Sequence, residues 1–169
     1  MMNVPRLTAS CACGNVEIEA AGKPIATVIC YCDDCQAAAQ QIEELPGAAS
    51  FCESDGGTAF IAYRRDRVRC IHGEPLLATL KLRDNSATNR KIATCCNSVM
   101  VLDFDDSKHW VDIYRARVKG SPPRPEMLVC TKFASDPLNN PDHMPASPGY
   151  SAQFMFRLLK ARIAMLFSS

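Results

Sequence analysis

Two cysteine clusters near the start of the chain, Cys11-Ala12-Cys13 and Cys30-Tyr31-Cys32-Asp33-Asp34-Cys35, constrain what this sequence can build more than any other feature. Alternate residues of an extended strand point to one face, so the first pair aims two sulfurs the same way. A Cys-x-x-Cys step wraps a tight turn around an ion. Soft thiolates at this spacing suit zinc. Disulfides are the poorer reading, because cysteines one or two residues apart rarely reach the separation and torsion of an unstrained bond. The first six residues, Met-Met-Asn-Val-Pro-Arg, contain no apolar core of a signal peptide, and no run approaches the ~18 apolar residues of a membrane span. A cytoplasmic protein with no membrane span is therefore expected.

The chain has 169 residues, enough for one sizeable core or one domain with an appendage. Its net charge is +1, with 11 basic and 14 acidic residues in 1–110 against 8 and 4 in 111–169. That asymmetry is too mild to argue for nucleic acid, which shows as a concentrated basic face.

Many short strands and two helices are predicted. Residues 16–20 alternate apolar and polar as a half-buried strand does, and Cys13-Gly14-Asn15 supplies the turn of a hairpin with 7–11. A strand at 26–31 delivers Cys30 and Cys32 at its end. Asp33 or Asp34 then caps a helix over 36–45, stopped by Pro46-Gly47. Further strands are predicted at 58–63, 68–72, 76–82, 91–95, 99–104 and 110–118. Such regular spacing indicates an antiparallel sandwich or folded sheet, not a parallel α/β domain. Residues 1–119 form the zinc-binding domain on this reading, and 120–169 form an extension. Within it 120–125 is a Pro-rich linker, 136–149 is irregular, and 150–167 is an amphipathic helix capped by Ser151. Phe154, Met155, Leu158, Leu159, Ile163 and Leu166 share its apolar stripe, with Arg162 inside it. The stripe is expected to dock on the domain or on a second subunit, so a homodimer is possible.

A third group, Thr94-Cys95-Cys96-Asn97-Ser98, follows about 60 residues after the second cluster. The order Ser10-Cys11-Ala12-Cys13-Gly14, then Cys30-Tyr31-Cys32-Asp33-Asp34-Cys35-Gln36, then a Gly-Glu-Pro turn and an arginine before a cysteine pair resembles the glutathione-dependent formaldehyde-activating enzyme family. That family includes the centromere-protein-V-like domains. The resemblance covers residues 7–104 and implies a small, mostly β, tent-like antiparallel fold with two zinc sites. It implies that Cys30, Cys32 and Cys35 hold a catalytic zinc with an open position, and that Cys11 and Cys13 join later cysteines around a structural one. The activity implied is that of a carbon–sulfur lyase, joining a thiol such as glutathione to formaldehyde or a small aldehyde.

The chain departs from the family pattern in two places. Ala93 stands where the partner cysteine of the third motif belongs, and Cys95 appears beside Cys96 instead. Adjacent strand residues face opposite ways, so Cys95 and Cys96 can share an ion only if the backbone turns sharply there. The first site is thus either a rearranged four-thiolate site or a degenerate one. Asn97 replaces a glycine, and Asn tolerates the left-handed conformation glycine would supply. Tyr31 stands where many relatives have histidine, removing a possible proton carrier.

Independently of the family, three protein ligands and a vacant corner are the arrangement of a catalytic zinc, whereas four ligands close the ion off. Three thiolates make a poor Lewis acid, which favours thiol activation over water activation. The competing reading is a non-catalytic zinc module that mediates protein–protein interaction, with Cys52, Cys70 or His72 as fourth donor. Cys70 and Cys130 read as small buried hydrophobes. His109 and His143 read as ordinary surface or hydrogen-bonded residues. Arg64, Arg65, Arg67 and Arg69 form a basic hairpin that could meet a peptide carboxylate.

Overall fold

The computed structural model describes residues 4–135, 138 and 140–168. Ten strands form two sheets. Strands β1 (Arg6–Ser10), β2 (Glu17–Ala21) and β5 (Val68–His72) make a three-stranded sheet in the order β1-β2-β5. The larger sheet comprises β3 (Ala26–Cys30), β4 (Thr58–Arg64), β6 (Leu77–Leu80), β7 (Thr88–Ala93), β8 (Ser98–Phe104), β9 (Trp110–Tyr114) and β10 (Met127–Val129). Its order is β10-β3-β4-β9-β8-β7-β6. Every ladder is antiparallel except that of β10 on β3. The mostly β, folded antiparallel architecture expected from the strand spacing is therefore observed, with one parallel edge added from the C-terminal part of the chain.

The two faces of the larger sheet explain the patterning. Phe60 and Ala62 of β4 face helix α1 (Asp33–Glu43) and helix α2 (Ala152–Leu166), in one core with Val28, Cys30, Ile42, Phe154 and Leu158. Ile61 and Tyr63 face the smaller sheet, in a second core with Ala9, Ile18, Met100 and Ile113. With both faces covered, β4 is buried from Thr58 to Tyr63, so it reads as a continuous apolar run and not as an alternation.

Several boundaries move for physical reasons. The helix predicted at 36–45 starts at Asp33, and its N-cap is Cys32, whose Sγ accepts from the Cys35 amide at 3.3 Å. Asp33 and Asp34 instead occupy the first turn, where carboxylates suit the positive end of the helix dipole. The strand predicted at 91–95 begins at Thr88 and ends at Ala93, releasing Cys95 and Cys96 into a turn. The strand at 110–118 ends at Tyr114 and continues as a 3-10 turn over Arg115–Arg117. Ser151 caps α2 as expected, its Oγ accepting from the Phe154 amide at 3.1 Å. Among the described residues the stripe on α2 is covered only in part. Only Phe154 and Leu158 are buried, whereas Met155, Leu159, Ile163 and Leu166 are exposed. Of the stretch read as irregular, residues 136, 137 and 139 lie outside the described residues. Among the described residues, no helix is long and apolar enough to cross a membrane.

Candidate metal centres

Two turns facing one another build the first cluster. The β1–β2 turn is closed by the Gly14 amide on the Cys11 carbonyl and the Cys11 amide on the Val16 carbonyl, each at 3.0 Å, with Gly14 at φ 82°. The β7–β8 turn is sharp because Asn97 adopts φ 52°, the left-handed conformation that asparagine tolerates better than most residues. Asn97 Nδ2 anchors it by donating to the Pro46 carbonyl at 2.9 Å. Ser98 Oγ ties the turns together, accepting from the Ala12 amide at 3.0 Å.

The result is a group of four sulfurs, Cys11, Cys13, Cys95 and Cys96, all within 4.8 Å of one another. Cys11 and Cys13 are 3.6 Å apart, Cys13 and Cys95 3.3 Å, Cys11 and Cys95 3.9 Å, and Cys95 and Cys96 4.0 Å. A tetrahedral ion with metal–sulfur bonds near 2.3 Å holds its sulfurs about 3.8 Å apart, so this donor set fits one. Ala93 is therefore compensated by the turn: leaving the strand after Ala93 removes the alternation that would have parted Cys95 from Cys96. Burial opposes ionisation of Cys96, but the Ser98 hydroxyl and the Cys13 backbone outweigh it and draw the thiol down to about 6. The buried Arg117 interacts with the charges of Cys96 and Cys11, which offsets the excess negative charge of four thiolates.

The second cluster forms at one strand-to-helix junction. Cys30 ends β3, Cys32 caps α1 and Cys35 lies in its first turn, so a single local path brings the three sulfurs within 4.8 Å of one another. The helix N-terminus favours thiolates here. Hydrogen bonds from Cys30 and Cys35 lower Cys32 to about 3, and Arg90 adds to this. Arg90 is only 2% exposed, and its Nη2 donates to the Asp34 carbonyl at 3.3 Å.

Beside the trio lies a cavity of about 100 Å3, lined by Cys30, Cys32, Cys35, Arg90, Asp112 and Tyr150 among others, with apolar walls from Phe60, Leu102 and Phe154. Asp112 pairs with Leu102 across β9 and β8, and Leu102 pairs with Arg90 across β8 and β7, so the three lie in one row on the helix-facing side. Asp112 keeps some accessible surface, yet its Oδ1 is sealed and has no partner. Burial pushes its carboxyl up to about 7, against the pull of a hydrogen bond from Trp110. A surface depression of about 680 Å3, lined by Pro5, Tyr63 and Lys119 among others, contains no cysteine.

The other sequence candidates fall elsewhere. All ten cysteines are free. Cys52 contacts the Thr58 hydroxyl and Cys70 donates to the His72 carbonyl, and neither joins a cluster. Arg64 pairs with Asp66, Arg69 pairs with Glu19, and Arg65 donates to the Phe104 carbonyl, so much of the basic hairpin is engaged. Cys130 is buried, as expected of a small hydrophobe, and it packs in the core cluster that holds Cys30 and Cys35. Sequence reasoning did not assign Tyr150, Arg90 or Asp112 to the site, nor place the buried Cys130 beside it. The available signal was Asp112 itself, a carboxylate set between Val111 and Ile113 in a strand covered on both faces.

A model of the family described as glutathione-dependent formaldehyde-activating enzyme matches residues 6–127. The crystal structure of a Rhodobacter sphaeroides protein, a structural genomics target, superposes with a TM-score of 0.49 at 16% identity, covering 69% of this chain and 92% of that one. No curated protein matches the chain. With both Cys-x-Cys motifs in place and well over half of its length matched, the chain belongs to the glutathione-dependent formaldehyde-activating enzyme family.

Proposed function

We infer that this protein is a zinc-dependent carbon–sulfur lyase that joins a thiol such as glutathione to formaldehyde or a small aldehyde at Cys30, Cys32 and Cys35. Cys11, Cys13, Cys95 and Cys96 hold a second, structural zinc on this reading. The observation that carries it is a three-sulfur donor set opening on a small cavity that is also lined by the Arg90 guanidinium and the Asp112 carboxyl. Zinc held there would stabilise an incoming thiol as thiolate near neutral pH.

The chain's own residues account for the rest. Arg90 offsets the charge of the sulfurs. A cavity of about 100 Å3 compares with ~30 Å3 for a water molecule in the liquid, which admits a small aldehyde and leaves the bulk of a tripeptide outside. As sulfur bonds to carbon and the carbonyl π bond opens, the oxygen takes a proton from Asp112, which solvent then restores. A cytoplasmic site of action suits the free thiols and a glutathione-sized substrate.

A second reading, a non-catalytic zinc module, is favoured by the exposed apolar face of α2, where Phe156 is 66% exposed. In that case the face serves a partner protein or a second copy. Exchange spectroscopy on mixtures of glutathione and formaldehyde separates the readings. Zinc-loaded protein should accelerate formation and breakdown of S-(hydroxymethyl)glutathione, and Cys32→Ser should abolish the effect. Exchange no faster than in buffer would remove the enzymatic reading.

A further inference from the structure

Cys130 lies beyond the residues that the family model matches and has no place in the three-sulfur motif. Its position is nevertheless built. Val129 is in register with Cys30 on the parallel β10–β3 ladder, so the next residue is carried to the end of β3, where the cluster begins. Cys130 then adopts φ 58°, a left-handed backbone that a side chain other than Gly, Asn or Asp enters at a cost of roughly 1–2 kcal/mol. The strained turn is pinned on three sides. The Cys130 amide donates to the Gly149 carbonyl at 2.9 Å, Tyr31 donates to the Val129 carbonyl at 3.1 Å, and Gln36 Nε2 donates to the Phe133 carbonyl at 2.8 Å. Gln36 belongs to α1, one residue after Cys35. A buried thiol held in strained backbone against a metal-ligating cysteine is an outlier that points to function.

We propose that Cys130 is a fourth, displaceable ligand of the metal held by Cys30, Cys32 and Cys35, and that a substrate thiol binds by taking its place. The mutually close set is Cys30, Cys32 and Cys35, with Cys130 packed beside it in the same buried cluster. One rotamer step about χ1 moves a cysteine sulfur by about 3 Å, enough to carry Cys130 between that place and the fourth tetrahedral position. The exchange is balanced, since the Cys130 sulfur takes up the proton that the incoming thiol gives up. Tyr150, which lines the cavity beside the cluster, is placed to hold the released thiol. The inference rests on the proposed metal site and specifies how that site is guarded at rest.

The test is proton–cadmium correlation spectroscopy on the full chain loaded with cadmium-113. The second-site resonance, assigned through its loss in Cys32→Ser, should lie in the four-sulfur range and correlate with the β-protons of Cys30, Cys32, Cys35 and Cys130. Cys130→Ser should shift that resonance to the three-sulfur range without moving the first-site resonance. Added glutathione should erase the Cys130 correlation and preserve the other three. A wild-type second-site resonance in the three-sulfur range, one without a Cys130 correlation, or no cadmium at this cluster would overturn the proposal, whether or not the serine variant folds. A Cys130 correlation that persists at saturating glutathione would overturn displacement and the enzymatic reading together, and leave Cys130 as a fixed ligand. Displacement without any acceleration of exchange would refute the enzymatic reading alone.

Discussion

Replacing Asp112 by Asn should stabilise this protein at pH 8 and flatten a slope in its stability between about pH 4 and pH 7. The native carboxyl has a sealed Oδ1 without a partner, and burial raises it to about 7, while in the unfolded chain an aspartate titrates near 3.9. Between those values the native state binds the extra proton, so stability falls as pH rises through the window and levels off above it. About three units at 1.36 kcal/mol each give an upper bound of roughly 4 kcal/mol for the loss. Asparagine has the same shape and no charge at any pH, and its oxygen can still accept from Trp110. Its amide adds donors that need partners, which returns about 1–2 kcal/mol. The variant should therefore gain about 2 kcal/mol at pH 8 and lose about 1–2 kcal/mol at pH 4, where the buried carboxyl of the wild type is protonated and carries no charge. Urea unfolding of both proteins at fixed zinc, from pH 4 to pH 8, isolates the effect as a difference. A difference that stays constant with pH would mean that folding does not raise the carboxyl, and one that favours the wild type increasingly as pH rises would mean that Asp112 is ionised and partnered; either would also remove it as the proton donor proposed above.

Metal analysis of protein purified without chelators should give two zinc ions per chain, falling to about one in Cys95→Ser and to about one in Cys32→Ser; a single ion unaffected by Cys95→Ser would show the first site to be degenerate. Gly73 has φ 74°, and a Cβ there would overlap the Asn15 carbonyl oxygen in the turn that carries Cys11 and Cys13. Gly73→Ala should thus cost at least 1–2 kcal/mol of stability from backbone strain alone and loosen metal at the first site before the second, read by urea unfolding and by competition with a chromogenic chelator. Phe154→Ala, which empties a buried position in the core shared with Cys30 and Ile42, should cost about 3–5 kcal/mol, whereas Phe156→Ala on the exposed face should cost under 1 kcal/mol unless a second subunit covers it, with unfolding midpoints measured at two protein concentrations.

How far the sequence could be read depended on the length of chain that encodes each feature. The second cluster was legible because Cys30, Cys32 and Cys35 need only a strand end, a cap and a first helical turn, all set by neighbouring residues. The β1–β2 hairpin was legible for the same reason, since Cys13-Gly14-Asn15 carries its own turn chemistry. The first cluster was half legible. Asn97 signalled a left-handed residue, but the strand assigned through Cys95 hid the turn, because the apolar pattern of Lys91-Ile92-Ala93 gives no reason to stop two residues early. Cys130 was rightly read as buried, but its place beside the cluster was hidden because Met127-Leu128-Val129 resembles any buried strand, and its parallel pairing with β3 crosses about a hundred residues of sequence. Asp112 was passed over because alternation in a strand normally turns an aspartate outward, and only the sheet order shows that both faces of β9 are covered.

The same contrast separates the roles of the two centres. Cys11, Cys13, Cys95 and Cys96 come from two hairpin turns on different sheets, so an ion there ties β1–β2 to β7–β8 and its binding energy acts as a cross-link between layers. Cys30, Cys32 and Cys35 lie within six residues, so an ion there constrains little chain that the β3–α1 junction does not already constrain. A centre that contributes little to holding the layers together can expose a coordination position and exchange a ligand without endangering the fold. Arg117 serves the first centre as Arg90 from β7 serves the second, but only the second also has a buried carboxyl, Asp112 from β9, and a further thiol, Cys130, with Tyr150 from the C-terminal part of the chain. A proton donor and a spare thiol serve addition of a thiol to a carbonyl, and a purely structural ion needs neither.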